Sequence, residues 1–328
     1  ISSNTQNGVY IYNSNFTIIE DNTISRNSLD GFNIYHAHNT SIRNNTFYQN
    51  TWKGLSISLS SGSLIEGNTF TRNILGGVLV NSSNRTRLIN NSMTNTMGNS
   101  NAIGVQSLNS DNLVLYNNTI STYALEGAKL ESCDSGNISN NDFLDVKNIT
   151  LSNSNNNHLI ANLINNSNTS GLVLSSSDTN TIEDNTVRYS GSNGIVLSAA
   201  HNNTIINNTP NNNTGDGLEL TSSNDNVINN NTIQYNNDNG VELVNASNNN
   251  LSYNYVRFNL IGISLEDDIG ASVAPCTNNN ISYNDLINNT NYDLENLQVG
   301  IGVTAENNYW GSTWAYSVSY THLTLPTN

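Results

Sequence analysis

Four consecutive stretches decide the fold: GLVLSSSDTNTIEDNTVRYSGSN at 171–193, GIVLSAAHNNTIINNTPNNNTGD at 194–216, GLELTSSNDNVINNNTIQYNNDN at 217–239 and GVELVNASNNNLSYNYVRFNLI at 240–261. The glycines at 171, 194, 217, 240 and 262 are 23, 23, 23 and 22 residues apart, and a period in this range marks stacked repeats. Each Gly is followed by apolar, any, apolar (Leu218, Glu219, Leu220), the alternation of a short strand with one buried face. A second apolar point follows at Ile182, Ile205 and Ile228, and a third at Val187 and Ile233. No 3.6-residue stripe is long enough for a helix, so the unit is a coil of three short strands. A lone coil cannot bury its apolar residues, whereas stacked coils bring residues of equal phase together at about 4.8 Å. The expected fold is all-β: a right-handed, single-stranded parallel β-helix with about 23 residues per coil and three short sheets, the hand following the preference of parallel crossovers.

The same phase runs back through Gly127, Gly104, Gly77, Gly54, Gly31 and Gly8, with a turn ladder at Asn22, Asn45, Asn68 and Asn91. Extra residues enter at Asn95–Asn101 and at Asp267–Cys276, as surface loops between coils, and near Asn148 the Gly is missing while Ile149 and Leu151 keep the inward pair. Residues 1–311 are expected to form one repeat domain, truncated at its N-terminus and closed by the aromatics of Asn307-Asn308-Tyr309-Trp310-Gly311. Residues 312–328 are a non-repeat tail. Within it 318–327, including His322, resemble the translation of a sequencing adapter and are expected to be disordered or loosely packed.

Asn supplies 71 of the 328 residues, a bias that would suggest disorder were it not in register. Asn tolerates left-handed turns, and its amide can bond to its equivalent one coil away. A net charge of −15 with only 10 Lys plus Arg argues against nucleic acid or an anionic membrane as partner. No apolar run is long enough to span a bilayer. Cys133 sits at a turn position filled elsewhere by Ser60, Ser83 and Ser223, which makes it a small packed residue, and it lies too many coils from Cys276 for a disulfide.

The Gly-apolar-x-apolar step, the Ser/Asn turn, the repeated Asn-Asn-Thr-Ile (Asn117 to Ile120, Asn230 to Ile233) and the closing Asn-Tyr-Trp-Gly resemble the NosD-like right-handed β-helix repeat proteins, a family overlapping the CASH domain of carbohydrate-binding proteins and sugar hydrolases. The resemblance covers about residues 1–311. It implies an extracellular, cell-surface or periplasmic location and polysaccharide or surface glycan as partner. The copper association that the family name implies finds little here: His36 and His38 have chelating spacing, but His158 and His201 lie coils away, and only Met93 and Met97 offer thioether sulfur, so copper is not expected.

The residue two after each Gly points outward, forming a ladder in which Glu219 and Glu242 are neighbours. With Asp216 and Asp238 before them and Glu266, Asp267 and Asp268 one coil later, they make the densest carboxylate cluster on one face. A solvated acidic surface is the simplest reading; a calcium site or acid–base chemistry on a polysaccharide are the alternatives. Catalysis would draw on Glu219, Glu242 and the cation Arg257, although the phase of Arg257 points to another face, and Lys129 lies coils away on the Glu ladder. Exposed aromatics give a third candidate: Tyr10, Tyr12 and Tyr35 for carbohydrate, with Tyr189, Tyr235, Tyr253 and Tyr255 recurring later. The reading favoured by sequence is a carbohydrate-binding or structural repeat module, with a lyase, hydrolase or epimerase as the alternative.

Overall fold

A computed structural model describes residues 1–96, 101–266, 275–298, 303–310 and 318–319. The chain divides into two compact units, Ile1–Leu163 and Ile164–Asn328. In the first unit, Gly-led strands from Val9–Tyr12 to Ile149–Ser152 form one parallel sheet, strands from Ile18–Glu20 to His158–Ile160 a second, and strands from Thr23–Ser25 to Asp142–Leu144 a third. In the second unit the corresponding sheets run from Leu172–Ser175 to Tyr292–Asn296, from Thr181–Glu183 to Asn280–Ser282, and from Thr186–Arg188 to Asp285–Ile287. Each strand pairs with its equivalents one repeat before and after: Glu219 lies opposite Val196 on one side and Glu242 on the other. The fold is a parallel β-solenoid of three sheets with about 23 residues per turn, and no helix occurs among the described residues.

The alternation written in the sequence fills the core. In the coil from Gly217, Leu218, Leu220, Ile228 and Ile233 are at most 1% exposed, and burial of such a side chain stabilises the fold by about 1.5–3 kcal/mol. The leading glycine is there for space. A Cβ on Gly217 would lie 2.4 Å from Ile233 Cγ2 and 2.7 Å from the carbonyl oxygen of Gly240.

Polar corners join the strands, and the Asn-Asn doublets divide their work. The first Asn of each doublet takes the left-handed conformation, with φ near 55° at Asn44, Asn117 and Asn230. The second points inward and is buried. Asn231 accepts from the backbone N–H of Asn208 at 2.8 Å and from its amide at 3.1 Å, and donates to Ile205 O at 2.9 Å and to Asn254 Oδ1 at 3.0 Å. This ladder runs from Asn22 to Asn162 in the first unit and from Asn185 to Asn308 in the second. Two further Asn ladders follow the same rule: Asn27–Asn50–Asn73 with Asn213–Asn236–Asn259, and Asn180–Asn203–Asn226–Asn249. A hydroxyl ladder adds to them. Ser60 N donates to Ser83 Oγ, Ser83 N to Ser110 Oγ, Ser110 N to Cys133 Sγ and Cys133 N to Ser154 Oγ, so the buried thiol replaces a serine in a structural role. Cys276 does the same for Ala246 N, and neither cysteine is in a disulfide.

Most of the two long insertions, residues 97–100 and 267–274, lies outside the described residues. The period resumes after each, Val105 opposite Val78 and Ile281 opposite Leu251. At the C-terminal end Asn308 extends the Asn ladder, which puts Tyr309 at the first strand position, 54% exposed and bridged to Asp285, where it faces outward instead of covering the apolar end. Of the tail expected to be irregular, Val318 and Ser319 pair in parallel with Leu294 and Glu295, an addition that an open strand edge accepts from almost any extended segment. His322 and the remainder lie outside the described residues.

Candidate functional site

Two surfaces of the second unit are candidate sites. The first is the outer ladder of its Gly-led sheet, where the register Glu219, Glu242, Ser264, Glu295 aligns three carboxylates. This ladder is less open than its outward phase suggests: Ser264 is fully buried and Glu219 and Glu242 are half-buried. Residues just before each glycine reach alongside it, with Asn193 Nδ2 donating to Glu219 Oε2 at 2.5 Å and Asn239 Nδ2 to Glu242 Oε1 at 3.2 Å. Thr221 Oγ1 holds the other oxygen of Glu219 at 2.7 Å. Asp216 belongs to this pre-glycine row. It is 6% exposed, its N–H donates to Asn193 Oδ1 and its Oδ1 accepts from Asn239 N.

Asp216, Glu219 and Glu242 each place a carboxylate oxygen within 4.8 Å of the others. Burial pushes the Asp216 carboxyl up to about 7, with the negative charges of Asp238 and Glu219 adding to it. Burial, followed by repulsion from Asp216, Glu266 and Glu219, pushes Glu242 up to about 8. Such a cluster holds protons near neutrality or gathers around a cation. Glu266 stands at its edge, bonded to Ser264 Oγ at 3.2 Å, while Asp267 and Asp268 lie outside the described residues.

Arg257 is not brought to this cluster. It lies in the third sheet, ion-paired with Asp285 and 5.4 Å from the centre of the Tyr255 ring. Lys129, in the first unit, is paired with Glu131 at 3.0 Å.

The second surface is aromatic. Tyr253 and Tyr283 stack with ring centroids 5.3 Å apart, and with Tyr255, Asp285 and Tyr309 they line a groove of about 340 Å³. Tyr235 and Phe258 stack at 4.9 Å around the next corner. In the first unit Tyr10, Tyr12 and Tyr35 form a similar row at 6.3 and 6.0 Å, Tyr10 and Tyr12 being more than half exposed. Tyr283 was not singled out from the sequence, and Tyr309 was read there as part of the closing cap, although their phase matches Tyr253 and Tyr255.

The four described histidines have structural partners or stand alone. His38 Nδ1 accepts from Ser61 N, His201 Nδ1 from Asn224 N, His36 packs edge-on against Tyr35, and His158 is exposed. Met93 is wholly buried and Met97 lies outside the described residues. The described ligand sets are therefore hard carboxylate oxygens, which do not fit copper.

Residues 145–322 match the family model described as periplasmic copper-binding protein (NosD), and residues 1–99 and 41–184 match that of the right-handed beta helix region. No curated protein sequence matches. Among solved structures, the A-module of mannuronan C-5 epimerase AlgE6 of Azotobacter vinelandii aligns with TM-score 0.57 and 14% identity over 91% of this chain and 84% of its own. The Dettilon tailspike protein gives 0.54 and 16% over 92% and 60%, and a variant of the periplasmic alginate epimerase AlgG gives 0.52 and 13% over 90% and 77%. At these identities the likeness is one of fold. Taken with the matching ladders and sheets, the two family models, one of which spans more than half of the chain, establish that it belongs to the NosD-like family of right-handed parallel β-helix proteins.

Proposed function

We propose that the chain is a glycan-binding module working outside the cytoplasm, with its tyrosine rows as contact surface and neutral polysaccharide as ligand class. One observation carries this reading. Tyr253 and Tyr283 hold φ of 58° and 59° in the corner that Asn207 and Asn230 occupy in earlier coils. A left-handed conformation costs a side-chain-bearing residue about 1–2 kcal/mol, and Asn bears it better than an aromatic. Both tyrosines are more than half exposed, so core packing does not explain them. Strained positions that the fold would fill more cheaply are where function is sought.

Charge narrows the ligand. Fifteen of the 25 acidic residues but only two of the ten Lys and Arg fall in residues 164–328, a surface that repels uronate polymers and tolerates neutral ones. An extracytoplasmic setting is supported by the periplasmic description of the family, and no described helix is long and apolar enough to cross a membrane.

Affinity electrophoresis through neutral and acidic polysaccharides tests the reading. Retardation by a neutral polymer, lost in Tyr253→Asn/Tyr283→Asn while the fold keeps or gains stability, is the expected result. Unchanged retardation would clear these tyrosines of the role, and no retardation by any polymer would leave a structural module. Release of new chain ends would instead favour the enzyme alternative on the Glu219 and Glu242 face.

A further inference from the structure

The acidic cluster has a companion that like-charge crowding alone does not explain. Asn239 is 4% exposed, yet its Oδ1 is buried without a hydrogen-bond partner. Elsewhere in the pre-glycine row this oxygen is used: Asn193 Oδ1 accepts from Asp216 N and Asp216 Oδ1 from Asn239 N. After Asn239 the coil is one residue short, Gly240 to Gly262, and Ile261 comes into strand register with Asn239. The row stops there, leaving Oδ1 without a partner on an amide whose Nδ2 touches Glu242 at the edge of the carboxylate cluster. Rotating the amide by half a turn would only exchange the difficulty, setting its oxygen against the Glu242 carboxylate.

We propose that Asp216, Glu219, Glu242 and Asn239 form a binding site for one calcium ion. Oxygen ligands at about 2.4 Å from Ca²⁺ lie at most about 4.8 Å apart across the ion. The three carboxylate oxygens already lie within 4.8 Å of one another. Magnesium, at about 2.0–2.1 Å, would demand a tighter and more regular shell. Asn239 Oδ1 supplies a fourth protein donor, and water completes the shell. The Asn193 and Thr221 bonds to Glu219 fix the orientation of that ligand, the part that outer-shell partners play in metal sites. This site rests on observations separate from the tyrosine rows and stands or falls independently of glycan binding.

The test is calorimetric titration of chelator-stripped protein with calcium chloride, alongside thermal unfolding with and without 5 mM calcium, about the concentration that saturates extracellular-type sites. One ion per chain and a raised melting temperature are expected. Glu219→Gln, Glu242→Gln and Asn239→Ala should each weaken binding by about tenfold or more, while Glu183→Gln in the second sheet changes nothing. Removal of a like charge should leave the calcium-free Glu242→Gln protein at least as stable as the parent, so lost binding will not be lost folding. Absence of binding at 5 mM calcium, or binding of equal strength in the Glu219→Gln/Glu242→Gln protein, would overturn the assignment.

Discussion

Substituting the two asparagines of one doublet should have very different consequences, although the residues are adjacent and identical. Asn231 is 1% exposed; its Oδ1 is the acceptor for Asn208 N, and its amide donates to Ile205 O, Asn229 O and Asn254 Oδ1. In Asn231→Ala the buried N–H of Asn208 loses its acceptor, which costs about 1–3 kcal/mol, and the three donations of the amide add about 1 kcal/mol each, for a total of about 5 kcal/mol. Asn230 is exposed, makes one side-chain bond, to Asn207 Oδ1 at 2.6 Å, and contributes mainly by tolerating φ of 55°. Asn230→Ala should therefore cost about 1 kcal/mol, and Asn230→Gly close to nothing. Urea unfolding followed by far-UV circular dichroism measures both. Equal losses from Asn230→Ala and Asn231→Ala would refute the division of labour within the doublet.

Two further outcomes follow from the packing. Lys53 is 9% exposed, and burial, opposed by Asp30 and Glu126, pushes its ammonium down to about 8 from 10.5. Between those values the unfolded chain binds the extra proton, so stability should rise by roughly 2–3 kcal/mol as pH climbs from 8 to 10; Lys53→Met should flatten that slope, and falling stability in this window would contradict the burial. Gly217→Ala places a methyl group 2.4 Å from Ile233 and 2.7 Å from Gly240 O, and should lower stability by about 1–3 kcal/mol in the same urea assay, a neutral result meaning that the coils can separate there.

The fold was legible because its signals are periodic. A glycine every 23 residues, followed by an inward pair such as Leu218 and Leu220, states both the coil length and the buried face. The corners were only partly legible: in Asn230–Asn231 both residues are polar, and nothing local tells which one turns inward, so one Asn ladder was foreseen where three run through the described residues. Among candidate site residues, the closeness of Asp216, Glu219 and Glu242 was legible because residues of equal phase in adjacent coils become neighbours. Asn239 was not, since an Asn before Gly looks like any other turn residue until the shortened coil after it is seen to strand its oxygen. The tyrosine corners were hidden for a related reason: exposure can be argued from phase, but a left-handed backbone under Tyr253 and Tyr283 cannot.

The ladders also bear on how the chain finds its alignment. Asn on Asn at a spacing of 23 is satisfied equally well by the neighbouring coil or by the one beyond, so a run of perfect repeats does not distinguish the native stacking from one displaced by a whole coil. Irregular spacings remove that degeneracy. The ladder steps by 27 residues from Asn91 to Asn118 and by 21 from Asn141 to Asn162 in the first unit, and by 30 from Asn254 to Asn284 in the second. A displaced stack would have to meet each of these odd-length coils with one of the wrong length. The coils that break the repeat thus serve as its alignment marks, and resetting each to 23 residues should yield a protein whose individual coils are better matched and whose native stacking is less unique.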